Sequence, residues 1–171
     1  MLRRLLLPLL ALVSAFAAPS LAVAQSKIGV INLQRAVLGT ADIKKASAEM
    51  QAKYKPRQDQ LAKLQQELAE IQAKLQGGNV SPAVGEDLQA QGQQKQREAQ
   101  RISEDLQGDA DRERNEILQK AGARMTEVVK KLADEKGLDL VVESTSTMYF
   151  KSALEITDDA IAAYDKAYPV K

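Results

Sequence analysis

Residues 137–150 read GLDLVVESTSTMYF, and they close a chain whose middle hundred residues are mostly Gln, Ala, Lys, Glu and Asp at helical spacing. The runs 139–143 and 147–151 are β-branched or aromatic, and the polar triplet Ser144-Thr145-Ser146 lies between them. That pattern predicts a β-hairpin. Two strands alone are marginal in water, so a third is required. The only other β-like run, KIGVINL at 27–33, lies near the opposite end of the chain. Both ends are therefore expected to meet in one small β body, formed by 25–39 and 137–171 and covered by a C-terminal helix. Thr157, followed by Asp158 and Asp159, is the expected N-cap of that helix, with Ile156 stapled against Ile161.

The segment between the two ends, 40–136, reads as two long helices. Thr40 is a good N-cap, with Asp42 in the first turn and Gly39 ending a short turn before it. Leu61, Leu64, Leu68, Ile71 and Leu75 step by three and four, the spacing of a seam that packs against a partner helix. Ile43, Met50 and Tyr54 continue that phase backward. Pro56 is expected to bend this helix, since it removes one backbone donor and crowds the preceding turn. Gly77-Gly78-Asn79 ends the helix, and Ser81-Pro82 opens the next. The two therefore form an antiparallel hairpin with its tip near 77–82. The second helix carries Leu88, Ile102, Leu106, Ile117, Ala121, Met125, Val128 and Leu132 near one stripe, but from Gln89 to Arg101 its only apolar side chains are Ala90 and Ala99. An arm of about 37 residues at about 1.5 Å each is roughly 55 Å long, and its distal half is thinly packed. The fold class is α+β: a long helical hairpin on a small β body.

Composition narrows the function. Arg3 and Arg4, an apolar run from Leu5 to about Ala18 and the small-residue site Ala22-Val23-Ala24 form the pattern of a cleavable export signal over 1–24. Removing Arg3 and Arg4 lowers the 24 basic side chains to 22, against 23 acidic ones, so the remaining chain is near neutral. Neither nucleic acid nor an anionic membrane is favoured. The chain has no Cys and no His, which removes the usual metal ligands and nucleophile–base pairs. Gly77-Gly78 lacks the Lys and Ser/Thr of a nucleotide loop. The acids are spread along solvated helix faces, so the chain reads as not an enzyme, with no cofactor and no metal.

The residues that remain, "KIGVINLQRAV" after an export signal, a tip-bearing helical hairpin, "GLDLVVESTSTMYF" and "ALEITDDAI", resemble the Skp/OmpH family of periplasmic chaperones. The C-terminal block is the specific part of that resemblance. It implies a homotrimer in which a β body carries three helical arms around a cavity, holding unfolded outer-membrane proteins without ATP. Members of that family known for binding lipopolysaccharide tend to be strongly basic. Here the first arm has seven basic and five acidic residues and the second ten and twelve, so no residues are carried over for such a site.

The residues themselves point the same way. Short strands leave unpaired edges that neighbouring chains can satisfy, so the body is expected to oligomerise, with Ile28, Val30, Leu140, Val142 and Tyr149 as candidates. The leucine seam serves first to join the two helices. Met50, Tyr54 and Val80, with aliphatic Lys and Arg stems, are the candidate client-facing surface. The alternative class is a structural coiled-coil spacer of the cell envelope, which accounts for the hairpin but gives the thin distal packing no purpose.

Overall fold

The computed structural model describes residues 26–170, so the export signal expected over 1–24 lies outside the described residues. The order is β1 (Ile28–Ile31), α1 (Leu33–Gly39), α2 (Ala41–Gln76), α3 (Pro82–Lys136), β2 (Leu140–Glu143) and α4 (Thr157–Ala167). Two 3-10 turns, Ser144–Ser146 and Ser152–Leu154, lie between β2 and α4.

The helical hairpin follows its signals. Thr40 Oγ1 accepts from the Ile43 N–H, and Gly137 ends α3 in the left-handed region at φ 60°. Only glycine takes that conformation without steric cost. α2 continues through Pro56, whose missing N–H leaves the Ala52 carbonyl without its usual intrahelical donor. α1 was not anticipated as a helix. Its signals are local: Asn32 Oδ1 accepts from the Arg35 N–H at 2.7 Å, Leu33 and Val37 lie one turn apart, and Gly39 follows.

The expected β-hairpin is corrected. β1 and β2 pair in parallel, with Ile28 opposite Leu140 and Val30 opposite Val142, and residues 147–151 form no strand. The cause lies in the short polar side chains after β2. Thr147 Oγ1 donates to the Glu143 carbonyl at 3.0 Å and the Thr147 N–H to the Ser144 carbonyl at 3.1 Å, winding the chain into a turn. The third position in the sheet is taken by Glu155, which bridges Val30 on the free side of β1, and the Ile156 N–H donates to the Val30 carbonyl at 2.8 Å.

The cap of α4 is also corrected. Ile156, not Thr157, precedes the first helical residue. Thr157 is buried in the first turn instead, where its Oγ1 accepts from the Asn32 N–H at 3.0 Å and donates to Glu155 at 3.1 Å. It ties α4 to the entrance of α1.

The core sits in the body. Met125, Val128 and Leu132 on α3 pack with Ile31, Ala36, Val37, Ile43, Ile156, Ala160 and Tyr164. The two sheet faces differ. Ile31 and Val141 face this core, while Val30, on the opposite face, is covered to 1% exposure outside it. α4 closes the core by packing on α1 and α3.

Candidate functional site

Two surfaces of this architecture can act on other molecules: the arm formed by α2 and α3, and the open side of the β body.

Along the arm, apolar burial thins with distance from the body. Beyond Ile43, α2 buries only Tyr54, Leu64 and Ile71, and the buried residues of α3 all lie in Ala121–Leu132. Between these sparse contacts the two helices are held by charge. Lys53 Nζ and Tyr54 OH both donate to one Glu113 carboxylate oxygen at 2.6 Å, Arg57 donates to Asp109 at 2.8 Å, and Lys95 donates to Glu67 at 2.6 Å. These bonds favour the charged forms. The Lys53 hydrogen bond first, then that of Tyr54, holds Glu113 below the ordinary carboxylate range. Arg57 does the same for Asp109, and Lys95 for Glu67. Being solvent-exposed, such pairs are worth little individually and weaken with salt.

A depressed carboxylate pKa has a definite sign. The stabilisation is present above the unfolded-state pKa and is lost as pH falls through the folded-state value. After correction for intrinsic rates, amides near Tyr54 and Glu113 are therefore expected to exchange several-fold faster when the pH drops below the ordinary carboxylate range. Glu113→Gln is expected to show that faster exchange already at neutral pH, with the body amides unchanged. Equal protection in the variant and the parent chain at neutral pH would show that the arm does not depend on this bridge.

Of the client-facing candidates, Tyr54 is corrected. It is 6% exposed and its hydroxyl is bound to Glu113, so it joins the two helices instead of facing outward. Met50 is half-buried and lines an open groove of about 460 Å³ with Gln51, Gln58, Leu106 and Gln107, to which the buried Tyr54 also contributes. Val80 is half-buried at the tip, where Val84 is 49% exposed. The eleven residues 75–85 around it carry no charge. Hydrophobic spacing alone does not separate Tyr54 from Met50, because the deciding partner, Glu113, lies 59 residues away in sequence.

In the body, Asp139 donates its N–H to the Lys27 carbonyl at 2.8 Å, which fixes the alternation along β2. The backbone groups of Leu140 and Val142 consequently point away from β1, along an edge that no described residue pairs. Four of the five oligomerisation candidates lie at the surface of the chain. Ile28, Leu140 (51%) and Tyr149 (80%) are exposed, and Val142 is half-buried. The fifth, Val30, is already covered within one chain. Sequence reasoning missed the apolar surface of α1, where Leu33 and Leu38 are exposed. Among the described residues no cluster of three metal-ligating side chains occurs, and no helix is long and apolar enough to cross a membrane.

This arrangement, a small α/β body bearing one long helical hairpin, is shared with known proteins. A family model described as "Outer membrane protein (OmpH-like)" matches residues 27–164. The "Skp-like protein" of Pseudomonas aeruginosa is 28% identical over 147 residues, covering 85% of this chain and 87% of its own length. The "Chaperone protein Skp" of Pectobacterium atrosepticum is 26% identical over 144 residues, covering 81% of this chain and 85% of its own. In three dimensions, an OmpH-like protein of Caulobacter crescentus superposes with a TM-score of 0.69 at 17% identity, over 86% of this chain and 89% of its own. The chain belongs to the OmpH-like family, and curated relatives of it carry the name "Chaperone protein Skp".

Proposed function

We propose that this protein is an exported, ATP-independent holdase of the periplasm. It assembles through its β body, as a trimer, and keeps unfolded outer-membrane β-barrel proteins from aggregating in a cavity between its arms. The observation that carries this reading is the division of packing within one chain. The core is complete in the body, whereas α2 and α3 extend from it with half-covered apolar side chains and polar bridges. A rigid structural spacer gains nothing from a thin seam. A surface that must hold an unfolded chain and then release it does, because many weak contacts of Met, Val, Gln and Lys stems are individually short-lived and add up only while several are engaged. The printed name of two curated relatives, "Chaperone protein Skp", supports the chaperone class.

The test is light scattering of a urea-unfolded outer-membrane β-barrel protein diluted into buffer. With the protein present near one assembly per client and without nucleotide, scattering is expected to fall to a small fraction of the unprotected signal. Undiminished aggregation at a several-fold excess would reject the holdase reading.

A further inference from the structure

The two flanks of the arm seam carry different chemistry. The buried side chains of α2 beyond Ile43 are Tyr54, Leu64 and Ile71. On one side of them stand Lys53 and Glu67, which bridge to Glu113 and Lys95 of α3. On the other stand Gln51, Gln58, Gln65 and Gln72, each seven residues from the next. Positions beside a helix seam ordinarily carry Glu and Lys that pair across it. Here one flank does and the other does not. We propose that the glutamine flank is the surface that holds an extended, unfolded polypeptide, through hydrogen bonds to its backbone. The inference rests on the holdase reading above and assigns the face of the arm that does the holding.

The two faces part at Tyr54. A cleft of about 450 Å³ is lined there by Lys53, Arg57, Asp109, Arg112, Glu113 and Glu116, every one charged. The groove of about 460 Å³ that holds Met50 shares only Tyr54 with that cleft, and among the described residues that line it only Asp111 is charged. α3 contributes Ser103, Leu106 and Gln107 to this groove. Gln100 and Gln93 repeat Gln107 at seven-residue spacing, and Gln96 and Gln89 repeat Ser103. Because α2 and α3 run antiparallel, these rows lead from the groove toward the tip on the same flank as Gln58, Gln65 and Gln72. The four glutamines of α2 are exposed, and none makes a side-chain hydrogen bond to another described residue, whereas Gln66 bonds Glu70 of its own helix.

A primary amide both donates and accepts, as a peptide group does. It carries no charge, so covering it does not strip an ion of its water. Seven residues of helix rise about 10.5 Å, close to the roughly 10 Å spanned by three residues of extended chain. Successive glutamines can therefore meet a client backbone at every third residue, whatever side chains it bears. The gap between Met50 and Leu106 receives an apolar side chain. The charged flank is unsuited to this work, since Glu67, Asp109 and Glu113 are already engaged by Lys95, Arg57 and Lys53. The occupant this face fits is thus an uncharged, strand-like segment of an unfolded chain.

The test compares three variants of the full protein. The first combines Gln51→Glu, Gln58→Glu, Gln65→Glu and Gln72→Glu. The second adds the same charge to exposed outward positions of α2, as Ala52→Glu, Ala62→Glu, Ala69→Glu and Ala73→Glu. The third changes the four glutamines to alanine, which removes the amides, adds no charge and keeps a strong helix former. Each is titrated against a fluorescently labelled, urea-unfolded outer-membrane β-barrel protein, after circular dichroism and native mass have been compared with the parent. Affinity is expected to fall at least tenfold in the first, several-fold in the third and less than twofold in the second. Equal weakening by the first and second, or parent-like affinity of the third, overturns the inference and leaves the holdase reading standing. A parent chain that does not bind the client overturns both. If the glutamate variant loses helicity, the alanine variant decides. The chain contains no cysteine, so a thiol-attached photo-cross-linker reports without background. Placed at Gln58→Cys it is expected to capture the client at least several-fold more than at Arg112→Cys on the charged face, and equal capture would also sink the proposal.

Discussion

Replacing residues 60–100 by a short Gly/Ser turn is expected to abolish protection of an unfolded outer-membrane protein while leaving the native mass of the assembly, counted in chains, unchanged. The cut lies beyond the Arg57–Asp109 bridge and far from the core residues Ile43, Ala121 and Met125. It removes two of the three arm side chains that α2 buries beyond Ile43, namely Leu64 and Ile71, and the Lys95–Glu67 bridge between them. None of these touches the sheet or α4, so the body keeps all its covered apolar area. What disappears is the uncharged tip around Val80 and Val84 and, on the proposed function, most of the wall that several arms would present to one client. Avidity from linked weak sites can exceed a single affinity by about 10²–10⁴, and it vanishes when geometry forbids simultaneous engagement. Protection is therefore expected to collapse and not to fall in proportion to length. Size exclusion and native mass establish equal oligomer number first, and light scattering at equimolar protein then decides. If the shortened protein protects as well as the parent chain, capture belongs to the body or the proximal arm, and the cavity reading fails while the family assignment and the fold stand.

That experiment separates two halves of the chain that differ in how plainly the sequence announces them. The arm was legible because helices are local. Thr40, Gly77, Ser81-Pro82 and Gly137 mark the helix ends within a residue or so, and the 3-4 spacing through Leu64, Leu68 and Ile71 selects the side that α3 covers. The stripe from Ala121 to Leu132 likewise anticipates the buried residues of α3. The body was legible in composition but not in pairing. Residues 139–143 and 147–150 look alike as β-formers, yet only the first finds a backbone partner within the chain, because Ser144 and Thr147 bond locally and wind the connection. Propensity records that a segment fits an extended backbone and says nothing of which edge receives it. Tyr54 and Thr157 failed for a related reason. Their roles are fixed by Glu113 and by Asn32, groups brought near only by the return of the chain over the hairpin.

Tyr164→Ala is expected to lower the stability of the body by about 3–5 kcal/mol, the range for deleting a large buried aromatic side chain. Tyr164 is the largest fully buried side chain, at 0% exposure, and it lies where α2, α3 and α4 converge. Its ring packs 5.0 Å from that of Tyr168, which in turn carries the Arg124 guanidinium 4.6 Å above it. Its hydroxyl donates to Asp42 at 3.2 Å, and Arg124 donates to the same carboxylate oxygen at 3.1 Å. Burial raises the Tyr164 pKa above the ordinary phenol value, so the hydroxyl keeps the proton that it donates. Truncation to alanine opens a cavity in the core that α3 and α4 share and frees α4 from the base of the arm. Tyr164→Phe keeps the ring and removes one hydrogen bond from an oxygen that Arg124 still satisfies, so it is expected to cost only about 1 kcal/mol. Urea unfolding followed by circular dichroism, at one fixed protomer concentration because assembly adds stability by mass action, measures both. A domain total of about 5–15 kcal/mol makes the alanine variant marginal and leaves the phenylalanine variant folded. Should the two variants unfold at the same urea concentration, the ring contributes nothing that the hydroxyl does not, and α4 is not the element that closes the core.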